Sequence, residues 1–248
     1  MALGELDKYQ VQEENASYYL DYGDENWKDS ANHDFQFMIE QDLAFASYIP
    51  YYFKKWIEQI DTNVLPLVSK RIINNTCKIL NFNYTDTLER AYKVPAENIL
   101  YIHGKALSSK KLVVGHHDIS TFQYGAVSPF NAAEEHGIYI QDDDEDFRIT
   151  ETKEIIKAYF QKTYKDTFGI IQMNQNFFDS LININEIFIL GHSLSSVDMD
   201  YFVEIRKRVL HSCKWYISYF SESDLDNMEY FAKRLDIKNF QPVMLSNL

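Results

Sequence analysis

Apolar residues recur at helical spacing through FQFMIEQDLAFASYIPYYFKKWIEQI, residues 35–60, with Pro50 as a break or as the first turn of a second helix. Beyond it the pattern changes to short apolar runs without polar alternation. CKILNF (77–82), NILYIHG (98–104), KLVVGHH (111–117), EIFILGHS (186–193), CKWYISYF (213–220) and FQPVML near the end all read as strands. Helical spacing returns between them: over Asp86–Tyr92, over TETKEIIKAYFQKTYKDTF with Thr150 or Thr152 as caps, and over 198–210 and 223–235. Strands alternating with helices predict an α/β fold whose mostly parallel sheet is covered by helices on both faces. Residues 1–30 have little periodicity, and 118–150 form a long acidic segment containing QDDDEDF. The organisation expected is a single α/β domain over 1–248, with a mainly helical front part (1–72) and a long acidic loop insertion (118–150).

Composition narrows the function classes. The chain has 248 residues, 46% hydrophobic and 15% aromatic, enough for a sizeable core. Its formal charge of −13 disfavours nucleic acid as a partner, because phosphate affinity needs clustered Lys and Arg. The densest basic spots, Lys54-Lys55, Lys70-Arg71, Lys110-Lys111 and Arg206-Lys207-Arg208, read as solvated faces. Two cysteines, Cys77 and Cys213, read as reduced packing residues and offer no zinc spacing. No apolar run reaches membrane-spanning length and no signal peptide opens the chain, so the expected location is cytoplasmic, with no membrane partner.

In open α/β sheets, ligands bind outside the carboxyl ends of the strands. Four predicted strands end in polar groups: Asn81 and Asn83, His103-Gly104, Gly115-His116-His117, and Gly191-His192-Ser193. As neighbours, these ends would line one crevice, with the glycines letting backbone approach a ligand. His103 is either a general base or a histidine hydrogen-bonded into a strand end. Asn83 either holds a ribose hydroxyl or an attacking water, or satisfies its own turn. Asp86 reads as a cap of the helix that follows it.

NFNYTDTLE, then YIHG, GHH and ILGHSLSSVDMDYF, taken together over about residues 30–220, resemble the AbiH family of bacteriophage abortive-infection proteins. That family is in turn similar to the SIR2-like NAD-binding fold. The resemblance implies a Rossmann-like fold and an NAD-consuming reaction in phage defence, with NAD as substrate and no metal. It puts the catalytic pair on Asn83 and His103. It puts nucleotide contacts on Gly191, His192 and Ser193, with Asp198 as the acidic residue that follows. The other strand-end residues, Asn81, Tyr84, Thr85, Asp86, Gly104, Gly115 and His116, complete the candidate nucleotide-binding set. Two departures stand out. Thr85 replaces the aspartate of the SIR2-like turn, and the Gly-Asn-Gly-Phe-Asp loop that opens AbiH-like chains has no counterpart among Gly4 and Gly23.

Three other readings compete. A metal-dependent nuclease or phosphoesterase would draw ligands from His103, His116, His117, Asp198 and Asp200. A nucleophile elbow at GHSLS would need glycine where Ser195 stands. A noncatalytic module would bind a phage component, a toxin-system partner or a second copy through Tyr18, Tyr19, Trp27, Phe35, Phe37, Tyr48, Tyr51 and Tyr52.

Overall fold

The helical periodicity over 35–60 resolves into α2 (Asp34–Ala44) and α3 (Ile49–Ile57), preceded by α1 (Lys8–Glu14) in a stretch with little periodicity; Pro50 lies in the first turn of α3, where its missing N–H costs nothing. The computed structural model describes residues 7–66, 72–117 and 146–247. These residues divide into two units, Met1–Phe53 with Val114–Lys165, and Lys54–Val113 with Asp166–Leu248.

In the first unit α2 lies along α5 (Phe147–Thr163). Phe35, Ile39 and Leu43 recur every four residues on α2, while Ile149, Ile156 and Phe160 line the facing stripe of α5. Phe35, a predicted interface aromatic, is fully buried there, whereas Tyr48, Tyr51 and Tyr52 are exposed. The cap of α5 is Asp146, whose carboxylate accepts from Arg148 N, in place of the threonines expected from sequence. Those threonines lie inside the helix, and Thr152 accepts a hydrogen bond from the buried Gln12 amide at 3.0 Å. Of the segment read as an acidic loop, 118–145 lies outside the described residues and 147–150 begin α5.

KLVVGHH is not a strand. Val113 N donates to His103 O, but His116 then makes a single bridge with Tyr164 in the first unit, so no run of pairings develops. The glycine inside the motif has a steric reason. A Cβ at Gly115 would lie 2.1 Å from Thr163 O, the carbonyl that accepts from His116 N. Gly115→Ala should therefore destabilise the protein by about 1–3 kcal/mol, as overpacking against an unyielding neighbour does. Thermal denaturation checks it, and an unchanged midpoint would refute the clash.

The second unit holds the α/β architecture. β1 (Ile79–Asn81) pairs with β2 (Ile99–Tyr101) in parallel, through a connection that contains α4 (Thr87–Ala91). β3 (Glu186–Ile189), β4 (Lys214–Tyr219) and β5 (Phe240–Met244) form a second parallel sheet in that order. The connections pass through α8 (Met199–Arg208) and α9 (Ser223–Arg234), as parallel pairing requires. The sheets are small, but all their pairings are parallel, in keeping with a Rossmann-like α/β fold. Between α5 and β3 the sequence pattern suggested one long helix running on to Phe168. The chain instead breaks after Thr163 and restarts as α6 (Thr167–Met173) and α7 (Gln175–Asp179). Asp166 caps α6 by accepting from Gly169 N at 2.9 Å.

Trp215 and Ile217 of β4 are buried among Met199, Tyr201, Phe202 and Ile205 of α8 and Met228 and Phe231 of α9. Acidic residues open both helices and basic ones close them, matching the helix dipole. Arg208 in that last turn of α8 pairs with Glu204 and Asp179, consistent with a solvated face. Cys77 and Cys213 are free thiols, and burial pushes the Cys213 pKa up. Among the described residues no helix is long and apolar enough to cross a membrane.

Candidate functional site

The join between β1 and α4 is held by the chain's own amides and carboxylates. Asn81 is buried, and its Oδ1 accepts from Asn83 N at 3.0 Å, so this asparagine shapes the turn. Asn83 itself is exposed at the strand end. Thr85 and Thr87 share a hydrogen bond between hydroxyls. Asp86 occupies the cap position of α4, yet its side chain makes no capping bond. It accepts from Thr62 Oγ1 at 2.8 Å and from Arg90 Nε at 2.7 Å. Burial raises its pKa, but those two hydrogen bonds and the charges of Arg90 and Lys105 together outweigh it and hold the carboxyl below its ordinary value. Asp86 thus anchors the turn from beneath rather than capping a helix.

β1 and β2 continue to cooperate past their ends. Ile102 N donates to Asn81 O, and Ala106 N donates to Tyr84 O. Between them lie His103 and Gly104. Gly104 has φ +89°, and a Cβ there would also press on Lys111 O at 3.1 Å, so only glycine turns the chain here without strain. His103 is buried, 5% exposed.

Beyond β3 the chain makes two left-handed residues, Gly191 (φ 61°) and Leu194 (φ 56°). Gly191 N is tied to Ser218 Oγ of β4 at 2.8 Å. Leu194 pays a backbone strain of about 1 kcal/mol or more for its conformation. The consequence is specific: Leu194 N donates to His192 Nδ1 at 2.9 Å. Gly191 and Ser193 are exposed on this loop, with nothing within 4 Å of a Cβ built on Gly191.

The two histidines converge on one carboxylate. Asp198 Oδ1 lies 3.4 Å from His103 Nε2, and Asp198 Oδ2 lies 3.3 Å from His192 Nε2. Phe82 packs edge-on against both rings, with centroids 5.5 Å from His103 and 4.4 Å from His192, and stacks on Phe202 at 5.5 Å. Tyr201 sits 5.7 Å from His103 and Tyr84 6.1 Å from it. Burial, with the Asp198 charge beside it, pushes the Tyr84 phenol up to about 12. It therefore stays protonated and donates to Val113 O at 2.9 Å. Tyr201 is shifted the same way, by burial first and then by Asp198 and Asp200.

Of the residues singled out from sequence, the structure brings together His103, His192 and Asp198, with Tyr84 alongside. Asn83, Gly191 and Ser193 are exposed at the ends of the same unit's strands. Gly115 and His116 belong to the other unit. There His116 is buried with Nε2 at 3.0 Å from Phe160 O, and His117 stacks on Tyr164. Among the described residues no group of three or more His, Cys, Asp or Glu side chains is arranged to hold a metal ion. Phe82, Leu194 and Tyr201 escape the sequence reading, and sequence pattern singles out neither of the first two. For Tyr201 a signal exists: it follows Asp198 by three residues at the start of α8, which puts both on one face.

The model of the family described as Bacteriophage abortive infection AbiH matches residues 1–219 of the chain. No curated protein and no solved structure matches it.

Proposed function

The chain belongs to the bacteriophage abortive infection AbiH family and so has a role in abortive infection; from that premise we propose that it acts by binding NAD and hydrolysing its nicotinamide–ribose bond. The observation that carries this reading is the Asp198 carboxylate lying within 3.4 Å of imidazoles that follow β2 and β3. That is a proton-handling group outside the carboxyl ends of parallel strands, where α/β sheets bind nucleotides. The resemblance to SIR2-like proteins supports it, since their catalytic asparagine and histidine fall on Asn83 and His103. In the reaction, water adds to the anomeric carbon as the carbon–nitrogen bond breaks. The bonding pair leaves with nicotinamide and neutralises its pyridinium charge, while the proton of water passes to His103. Asn83 orients the ribose or the water, and the exposed Gly191–Ser193 loop borders the nucleotide. Thr85 has no carboxylate to offer nicotinamide, and Asp86 beside it is engaged with Thr62 and Arg90. Leaving-group departure then rests on the ring's own positive charge.

The test has two arms. The purified chain should release nicotinamide from NAD, and cells carrying it should lose NAD once infected. Abortive infection with cellular NAD intact would overturn the reading. One observation favours a second reading, a noncatalytic module that binds a phage component. Tyr48, Tyr51 and Tyr52 are 58–65% exposed, far from the burial usual for a core stripe. Protection that survives loss of His103 would select it.

A further inference from the structure

Resting on the nucleotide reading for its kinetic consequence but not for its geometry, we infer that Asp198 is a positioning residue, not a nucleotide ligand: it fixes the tautomers of two histidines so that Nδ1 of His103 is the basic nitrogen. The order of constraints sets this. His192 Nδ1 accepts from Leu194 N, so in the neutral ring the proton sits on Nε2, the atom facing Asp198 Oδ2 at 3.3 Å. Asp198 Oδ1 lies toward His103. Its Nε2 is buried without a hydrogen-bond partner among the described residues, and the carboxylate 3.4 Å away is its charged neighbour. A lone pair aimed at a carboxylate is repelled, whereas an N–H is attracted. His103 accordingly carries its proton on Nε2 and presents the lone pair of Nδ1. The 3.4 Å separation is long for a hydrogen bond, as catalytic contacts are before substrate tightens the site.

The same arrangement says which histidine yields when the carboxylate is altered. An amide here puts an accepting oxygen toward one ring and a donating nitrogen toward the other, so it cannot accept from the N–H groups of both. His192 is held by the Leu194 backbone, which no side-chain change removes. His103 has no such anchor, and the amide nitrogen would turn it to the Nδ1–H form, with its lone pair buried. In Asp198→Asn the base is present but inverted.

Long-range nitrogen–proton NMR of the full chain, with both histidines assigned, reads the tautomers directly. The wild type should show His192 and His103 both protonated on Nε2 at neutral pH. Asp198→Asn should leave His192 unchanged and move the His103 proton to Nδ1. Nicotinamide release should fall by about two orders of magnitude in that variant, the worth of a general base. A wild-type His103 protonated on Nδ1 overturns the inference, and that measurement needs no variant to fold. So does an Asp198→Asn variant whose His103 tautomer is unmoved. Tautomers as expected in a chain that releases no nicotinamide sustain the inference and remove the NAD reading instead.

Discussion

His103→Gln should lower nicotinamide release by about two to four orders of magnitude, the contribution of a positioned general base, while the protein still folds. Glutamine is chosen because the site is crowded. Rings of Phe82, Tyr84 and Tyr201 surround the imidazole at 5.5–6.1 Å, and alanine would leave a void among them. The glutamine amide also keeps a donor toward Asp198, so the carboxylate is not stranded. A large kinetic loss with little change in the denaturation midpoint would therefore report chemistry, not packing. Protection against phage should be lost in parallel. Activity within a few-fold of wild type would mean that the imidazole is a structural filler of the strand end, and the base would have to be sought elsewhere.

The strand ends carried more information than the strands. Each of β1, β2 and β3 proved shorter than its apolar run, because residues such as Phe82 and Ile102 continue the hydrophobic pattern after the ladder has ended. Periodicity reports burial, and burial outlasts hydrogen bonding. The same limit explains KLVVGHH, whose apolar character serves packing in a stretch that pairs with no strand among the described residues. His103 and His192 were legible because four predicted strands end in polar groups, and Asp198 because the resemblance to the AbiH family points to it. What joins them was not. The left-handed Leu194 has no sequence signature, since leucine is a poor residue for that conformation and only the fold imposes it. The contrast between Asn81 and Asn83 was equally hidden. Both are amides one residue from Phe82, and a continued pleat would put them on one face; the strand ends at Asn81 and the chain turns, so one is buried as a turn brace and the other exposed.

Arg148→Met should destabilise the first unit by about 3 kcal/mol, the lower range for breaking a buried ion pair. The guanidinium is 1% exposed. Nε and Nη2 donate to both oxygens of Asp146 at 2.6–3.1 Å, and Nη1 donates to Leu20 O at 2.8 Å. Tyr19, Tyr22 and Trp27 enclose it at 4.2–5.3 Å from their ring centres. One side chain thus ties residues 19–27, which have little periodicity of their own, to the start of α5. Methionine fills similar volume but strands the Leu20 carbonyl and takes the positive partner from Asp146, which keeps only its bonds from Tyr19 and the backbone N–H at position 148. The melting temperature should drop by about 6–12 °C at 2–4 °C per kcal/mol. The pH dependence supplies a sharper check. Hydrogen bonds from Arg148 outweigh burial and hold the Asp146 carboxyl below its usual range. A carboxylate whose folded pKa is depressed contributes stability that is full above its unfolded value, about 3.9, and is lost as pH falls through the folded one. The variant lacks the guanidinium's share of that contribution at every pH and keeps the share from Tyr19 and the backbone N–H at position 148. The gap in melting temperature between wild type and Arg148→Met should hold steady near neutrality and narrow below about pH 4, leaving the part due to the Leu20 carbonyl and the ring contacts. A gap that stays constant into acid would show that Arg148 acts through its ring contacts and the Leu20 carbonyl, with the Asp146 pair contributing nothing.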